Sequence, residues 1–453
     1  MAKITFMGAG STVFAKAILG DSLHAPALQD AHIALYDIDA TRLRESKAMM
    51  DTLNANINAG RAAVTAHLGT GQRKAALRGA DYVVNAIQVG GYKPSTVIDF
   101  EIPGKYGLRQ TIGDTLGIGG IFRSLRTIPV MLDFARDMRE VCPDAWFLNY
   151  TNPMSMLTGA MIRGGGIKTV GLCHSVQGCA YWLCKELGLD SEKMKDFRWE
   201  VAGINHQAWL LSIRDGKKDL YPEIKKRAAA LLARERKRKA PRKDMGWNKH
   251  HDLVRLHLMG QFGYYITESS EHNSEYCPWF IKERYPELIE EFNIPLDEYP
   301  RRCEIQIKEW KALAKVVVHD RNIGHKRGGE YGSYIMEALE TGAPVKIYGN
   351  VVNNGIIPNL PSKACVEVPC LVDRNGVQPL MVGDLPEPCA ALNRTNINVQ
   401  LLVIEAALTG RKEHIYQAAM LDPHTGSELS IDDIRNLCDD LVRAHGRMLP
   451  KYK

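Results

Sequence analysis

The sequence predicts an α/β protein: a doubly wound, mostly parallel sheet, with a second α+β part packed on the sheet's ligand edge. Three observations carry this. Over the first 175 residues, short apolar runs ending in Gly, Asp or Asn-Pro alternate with helical patterns. Those runs lack the in-out alternation of a half-solvated strand, so they read as strands buried on both faces with crossover helices between them. From about residue 190 the pattern changes to β-rich stretches broken by turn dipeptides and long helices. At 453 residues the chain is too long for one ordinary compact domain, and a division into 1–190 (the sheet) and 191–453 (the α+β part) follows.

"KITFMGAG" (3–10) is a strand closed by glycines, and "STVFAKAILGDSL" is the helix it feeds. "HIALYDID" (32–39) is the second strand, followed by the helical "ATRLRESKAMMDTL". "DYVVNAIQVGG" (81–91), "DAWFLNYTNP" (144–153) and "IKTVGLCH" (167–174) supply three more strands. Beyond them "EVAGINHQAWLLSI" (200–213) has β character, and helices are expected at about 250–262 and 301–318. The stretch 345–379 is rich in β-branched residues and punctuated by Asn-Gly and Pro, which predicts an antiparallel element.

An apolar fraction of 45% with 24% charged residues fits a globular protein and excludes a disordered one. "MAKITFMGAG" enters a strand directly, with no basic segment, apolar core or cleavage site, and no run approaches the roughly 18 apolar residues of a membrane span. A cytoplasmic protein without membrane association is expected. Ten cysteines are scattered without Cys-x-x-Cys pairing, as reduced thiols would be, so no disulfide framework is expected. The net charge of +6 is concentrated in 223–244, where ten residues are basic. No aromatic residues interleave them, so a solvated helix face is expected there and not a nucleic-acid site.

The first strand and helix carry a cofactor signal. Gly8 and Gly10 allow a tight turn, and the helix opening at Ser11 can aim its first amides at a pyrophosphate. Asp37 ends the second strand, where an acid can accept ribose hydroxyls. An acid at that tip favours NAD over NADP, while Arg42 nearby leaves NADP open. Gln88, in "QVGG", ends the third strand. Asn152, held extended before Pro153, ends the fourth and would direct its amide toward the nicotinamide end. The frame is Rossmann-type, like that of lactate and malate dehydrogenases, and ligands should gather at the strands' carboxyl ends.

An ordinary hydroxyacid dehydrogenase would next supply an acid and an arginine for a carboxylate substrate. "VGLCHSVQG" (170–178) supplies Cys173 and His174 instead, and "GINHQAW" then brings Asn205 and His206. One thiolate and one imidazole cannot close a four-ligand structural zinc site, yet they suffice for a catalytic ion whose other positions go to water and substrate oxygens. On these residues alone, a buried small cysteine and a hydrogen-bonded core histidine remain an open alternative.

"GAGS", the Asn-Pro after the fourth strand, the Cys after the fifth, "GINH" and "NNGIIPNLP…VEVPCLVD" together resemble glycoside hydrolase family 4, the NAD- and metal-dependent glycosidases. "CHSVQG", "TESSEH" and "EYCPWFIK" are similar to members acting on α-galactosides. Members of this family stand outside the two-carboxylate scheme of most glycosidases. The resemblance implies redox-assisted elimination: hydride passes from sugar C3 to NAD, a base takes the now acidic C2 proton, the C1–O bond breaks, water adds at C1 and the hydride returns. It implies Cys173 and His206 as ligands of Mn²⁺, although thiolate and imidazole would by softness favour zinc or iron.

For acid–base work the candidates are Asp114, His174, Tyr265 and Glu268. Asp114 or His174 is the acid for the leaving oxygen; relatives place an aspartate where His174 stands, which leaves the choice between the two open. The C2 base lies within "FGYYITESSEH", with the register among Tyr264, Tyr265, Glu268 and Ser269 unassigned. Asn152 and Asn205 are expected to hydrogen-bond sugar hydroxyls. The implied substrate is an unphosphorylated α-D-galactoside of the melibiose or raffinose type, with α-glucosides and α-galacturonides as alternatives. An ordinary NAD dehydrogenase is the competing class. The family also implies a homodimer or homotetramer, and the 345–379 element is a plausible contact for it.

Overall fold

The computed structural model describes residues 1–243 and 246–453. Its strands, in chain order, are β1 (Lys3–Met7), β2 (His32–Asp37), β3 (Ala63–Leu68), β4 (Tyr82–Asn85), β5 (Trp146–Asn149), β6 (Thr169–Gly171), β7 (Phe197–Ile204), β8 (Gln207–Asp215), β9 (Lys218–Asp219), β10 (Arg242–Lys243), β11 (Gly246–Trp247), β12 (Tyr265–Ile266), β13 (Val345–Val352), β14 (Cys365–Asp373) and β15 (Gly376–Pro379). Thirteen of them make one sheet, whose spine runs β12-β8-β7-β14-β13-β6-β5-β4-β1-β2-β3. The half from β6 to β3 is parallel throughout. β10 and β11 form a separate two-stranded hairpin.

Side chains on the parallel strands alternate between two cores. Ile4 and Phe6 of β1 join the core beneath α1 (Thr12–His24) and α2 (Ala40–Asn58), while Met7 joins the core beneath the helix Gly117–Val141. Val84 and Leu148 face the first, Val83 and Phe147 the second. This two-sided burial is why those strands read as unbroken apolar runs. β3 has no such run because it is the edge strand, with exposed and half-buried residues along its length.

The two halves share the sheet. β13 pairs with β6 at Asn350 and Gly171, and β14 pairs with β7 at Glu367 and Gly203. The antiparallel element expected at 345–379 is therefore present. Both edges of β13 and β14 are taken up by neighbouring strands, which places the element in the middle of the sheet. The basic stretch lies on the helix Tyr221–Lys237 and just beyond. Several of its arginines are neutralised locally: Arg227 by Glu223, Arg236 by Glu291, Arg238 by Glu235. Asp244, its last residue, lies outside the described residues. Among the described residues no helix is long and apolar enough to cross a membrane.

Candidate active site

The carboxyl ends of β1, β2 and β4 make the first part of the site. β1 lies between β4 and β2, so the chain reverses direction across the sheet here and opens a crevice. Gly8 adopts φ +88°, and a Cβ there would meet the Ala86 carbonyl oxygen at 2.7 Å. Gly10 donates its N–H to Asp37 Oδ2 at 2.6 Å. Ser11 precedes α1 without capping it through its side chain, which leaves the first amides of that helix free for an anion. Ile38 and Val13 are exposed, as apolar walls for a flat ring would be. Arg42 packs its stem near Gly10. The structure thus brings the Gly8–Ser11 turn against Asp37 at the end of β2 and Arg42 of α2, a grouping whose chemistry fits a dinucleotide. Gln88 lies apart, on the exposed loop after β4. That loop is anchored by Arg126, which donates to the Val89 carbonyl and forms a buried two-point pair with Asp99.

Cys173, just past β6, and His206, in the turn between β7 and β8, approach across the seam: Cys173 Sγ lies 3.4 Å from His206 Nε2. Glu268 joins them, with Oε2 3.6 Å from the same nitrogen. The three donor atoms all lie within 4.8 Å of one another. Tyr276 Oη lies 3.1 Å from His206 Nδ1, so Nε2 is the nitrogen turned to the cluster. Burial opposes a charge on His206, yet Glu268 and Cys173, with Asp114 further off, push its pKa up to about 10. The field that holds a proton there is one that would hold a divalent cation. Three donors with open positions fit a catalytic ion, and the Glu268 oxygen adds the hard ligand that the sequence reading lacked for Mn²⁺.

Around this cluster lies His272, unassigned from sequence although it closes the "TESSEH" motif. Its Nε2 lies 3.7 Å from Asp114 Oδ1, its Nδ1 3.5 Å from Glu268 Oε1, and its ring stands edge-on to His206 at 4.9 Å. Burial alone would raise the Asp114 carboxyl, but His272, then Arg123, hold it well below the usual carboxylate range. Arg123 was likewise missed. It donates to the Asn152 carbonyl at 3.1 Å and to Tyr299 Oη at 3.2 Å. Glu275, inside the quoted "EYCPWFIK", accepts the amides of Thr111, Ile112 and Gly113 and so shapes the loop that presents Asp114.

Asn152 and Asn205 each keep a buried carbonyl oxygen without a protein partner. The Asn205 amide donates to Glu367 Oε1 at 3.3 Å. His174 turns its Nε2 to Glu330, at 2.8 and 2.9 Å from the two oxygens. That bond raises the His174 pKa against partial desolvation. Tyr265 does not join the cluster. Its phenol is buried and donates to Asp252 at 2.5 Å with the Arg255 guanidinium over its ring, and burial carries its pKa well above the ordinary value. Tyr264 packs against Tyr221 and Lys225, and Ser269 caps the helix Ser270–Glu275. Of the four residues in question within "FGYYITESSEH", Glu268 is the one placed against His206.

Fold and site define a dinucleotide-type α/β protein carrying a candidate cation centre at the edge of its sheet. The family 4 glycosyl hydrolase model matches residues 3–189, and the model of that family's C-terminal domain matches 201–425. An alpha-galactosidase of Bacillus subtilis is 59% identical over 453 residues, all of both chains. An alpha-galactosidase of Rhizobium meliloti is 35% identical over 99% of this chain and 89% of its own. Among solved structures, a 6-phospho-alpha-glucosidase from gut microorganisms, in complex with NAD and Mn²⁺, superposes with a TM-score of 0.76 over the whole of both chains at 20% identity, a likeness of fold. The chain belongs to glycosyl hydrolase family 4.

Proposed function

We propose that this chain is an α-galactosidase hydrolysing unphosphorylated α-D-galactosides of the melibiose or raffinose type, with NAD and Mn²⁺ as cofactors. The observation that carries this reading is the Cys173–His206–Glu268 cluster, which lies at the sheet edge that also bears the Gly8–Gly10 turn and Asp37. The full-length match to an alpha-galactosidase at 59% identity supports the choice of sugar.

Gly8, Gly10, Ser11, Asp37, Arg42 and Gln88 would hold NAD; Cys173, His206 and Glu268 would hold the ion. When bound, NAD supplies a reversible hydride acceptor and the ion a Lewis acid for the oxygens of the sugar ring. The chain's own groups do the rest. Asn152 and Asn205 offer their unpartnered carbonyl oxygens to sugar hydroxyls. Glu268 is the base for the C2 proton through Oε1, the oxygen turned to His272, while Oε2 faces His206 Nε2 and the ion's position; burial would raise its carboxyl, but His206, then His272 and Arg255, hold it below the usual range. Asp114, ionised for the same kind of reason, is a poor acid and serves as a fixed negative charge beside His272 and Arg123. His174 then protonates the leaving oxygen, its charged form favoured by Glu330. Tyr265 is assigned no proton transfer, because its hydroxyl is spent on Asp252.

A cytoplasmic setting is supported by ten free cysteines. A homodimer or homotetramer is supported by exposed apolar side chains on the helix Glu298–His319, namely Ile305, Leu313 and Val316. The deciding experiment is a panel of nitrophenyl α-galactoside, α-glucoside and α-galacturonide assayed with NAD, Mn²⁺ and reductant. Preferential cleavage of the galactoside with no net NADH is expected. Preference for another glycoside overturns the choice of sugar, and stoichiometric NADH without cleavage overturns the hydrolase.

A further inference from the structure

The segment between the helices Glu298–His319 and Tyr331–Thr341 has no regular secondary structure, yet it is tightly tied. Its anchor is Asp21, a fully buried carboxylate in the last turn of α1, the helix that opens at the dinucleotide turn. Asp21 Oδ1 lies 2.6 Å from His325 Nε2 and accepts the Gly328 amide at 2.7 Å; Oδ2 accepts the Glu330 amide at 3.4 Å. The His325 carbonyl lies 2.9 Å from His24 Nε2, and the His325 ring packs against α1 so closely that a Cβ at Gly20 would come within 2.7 Å of it. Gln177 donates to the Gly329 carbonyl at 2.6 Å, and Tyr150 Oη accepts the Gly332 amide at 2.8 Å.

All these bonds converge on Glu330, whose two oxygens face His174 Nε2. The other sides of that imidazole are set by Phe14 of α1 and by Tyr150, each with its ring centre 6.1 Å away. We infer that Glu330 is a positioning residue for His174, delivered by a strap that Asp21 and His325 latch to the cofactor helix. By accepting a hydrogen bond from Nε2, Glu330 leaves Nδ1 as the nitrogen free to reach substrate and fixes the plane in which it does so. The same bond persists after Nδ1 has given up its proton, so the ring stays in place between turnovers. The latch makes His174's placement depend on α1.

This inference rests on the reading of His174 as the acid for the leaving oxygen, and the test separates the two. Holoenzyme with NAD and Mn²⁺ is assayed on dinitrophenyl, nitrophenyl and phenyl α-galactosides, whose leaving oxygens need progressively more help from an acid. Glu330→Gln is expected to lose at least about tenfold in kcat/KM on the phenyl substrate and less than about threefold on the dinitrophenyl one, because only the first needs a well-aimed proton. His174→Gln should show the same slope more steeply, and the double variant should be no worse than His174→Gln alone. His325→Ala, which keeps Glu330 but opens the latch, should fall between wild type and Glu330→Gln. A steep slope in His174→Gln with a flat one in Glu330→Gln overturns the positioning role and leaves the acid standing. A flat slope in His174→Gln overturns the acid, and with it the strap's purpose.

Discussion

Glu268 and His206 face each other across 3.6 Å, and both hold a backbone conformation that side-chain-bearing residues avoid, with φ of +70° and +64°. Each such residue costs on the order of 1 kcal/mol or more, and the two lie on different turns of the sheet's antiparallel half. Both members of one donor pair are thus held in turns that the surrounding sheet must keep in place.

Glu268→Gln is accordingly expected to lose at least about a hundredfold in kcat, since the amide can neither accept the C2 proton nor pair with the ion as an anion. Manganese titration followed by kinetics should show weaker binding, by roughly tenfold or more, in the same variant. Unchanged kcat with normal manganese dependence would remove Glu268 from both roles.

Exhaustive dialysis against EDTA should abolish hydrolysis, and added Mn²⁺ should restore it. Cys173→Ser should move the manganese requirement about tenfold or more upward, because a neutral hydroxyl replaces a thiolate donor. Full activity after chelation counts decisively against a cation at Cys173 and His206.

At Gly10 an added Cβ would lie 2.8 Å from Asp37 Oδ2 and 3.0 Å from the Arg42 side chain. Gly10→Ala should therefore displace Asp37 and weaken NAD binding by about tenfold or more, read by equilibrium titration of nicotinamide fluorescence.

Glu367 predicts a pH dependence of stability. Burial pushes its carboxyl up to about 7, even though Asn350 and Asn205 donate to one of its oxygens. Between about 4.5 and 7 the folded chain holds a proton there that the unfolded chain has released, so stability falls as pH rises through that window. Glu367→Gln removes the titration and keeps an oxygen that can accept from the Asn350 and Asn205 amides. The variant should gain about 1–3 kcal/mol on wild type at pH 8 and little at pH 5 by urea unfolding, within the range set by the linkage. Parallel stability curves would contradict the buried, titrating carboxyl.

The parallel half of the fold was legible because burial on both faces leaves a continuous apolar signature, as in "KITFM" and "WFLN", and glycines mark the turns that follow. β3 escaped because an edge strand has no reason to be apolar. In the site, Cys173, His206, Asp37 and Glu268 could be found because each sits in a short motif at the end of a strand. Arg123, Glu275 and Glu330 could not. Arg123 is one arginine among many on a helix, and Glu275 and Glu330 act on loops 162 and 156 residues away in sequence, a separation no local pattern records. His272 had a local signal only in closing the "TESSEH" motif; Glu268 lies before the Ser269 cap with φ +70°, so the 3.5 Å approach of the two comes from that turn and not from helical spacing. The tyrosine register failed to resolve because Tyr264 and Tyr265 differ from Glu268 in direction, which only the packing around Asp252 and Arg255 decides.

The strand order carries a consequence for biosynthesis. Cys173 and His206 leave the ribosome only 33 residues apart, but β13 and β14 must be inserted between their strands before the two can face each other. A chain stalled before β13 has β6 and β7 without the two strands that join them. Cys173 and His206 can therefore face each other only after most of the chain has been made.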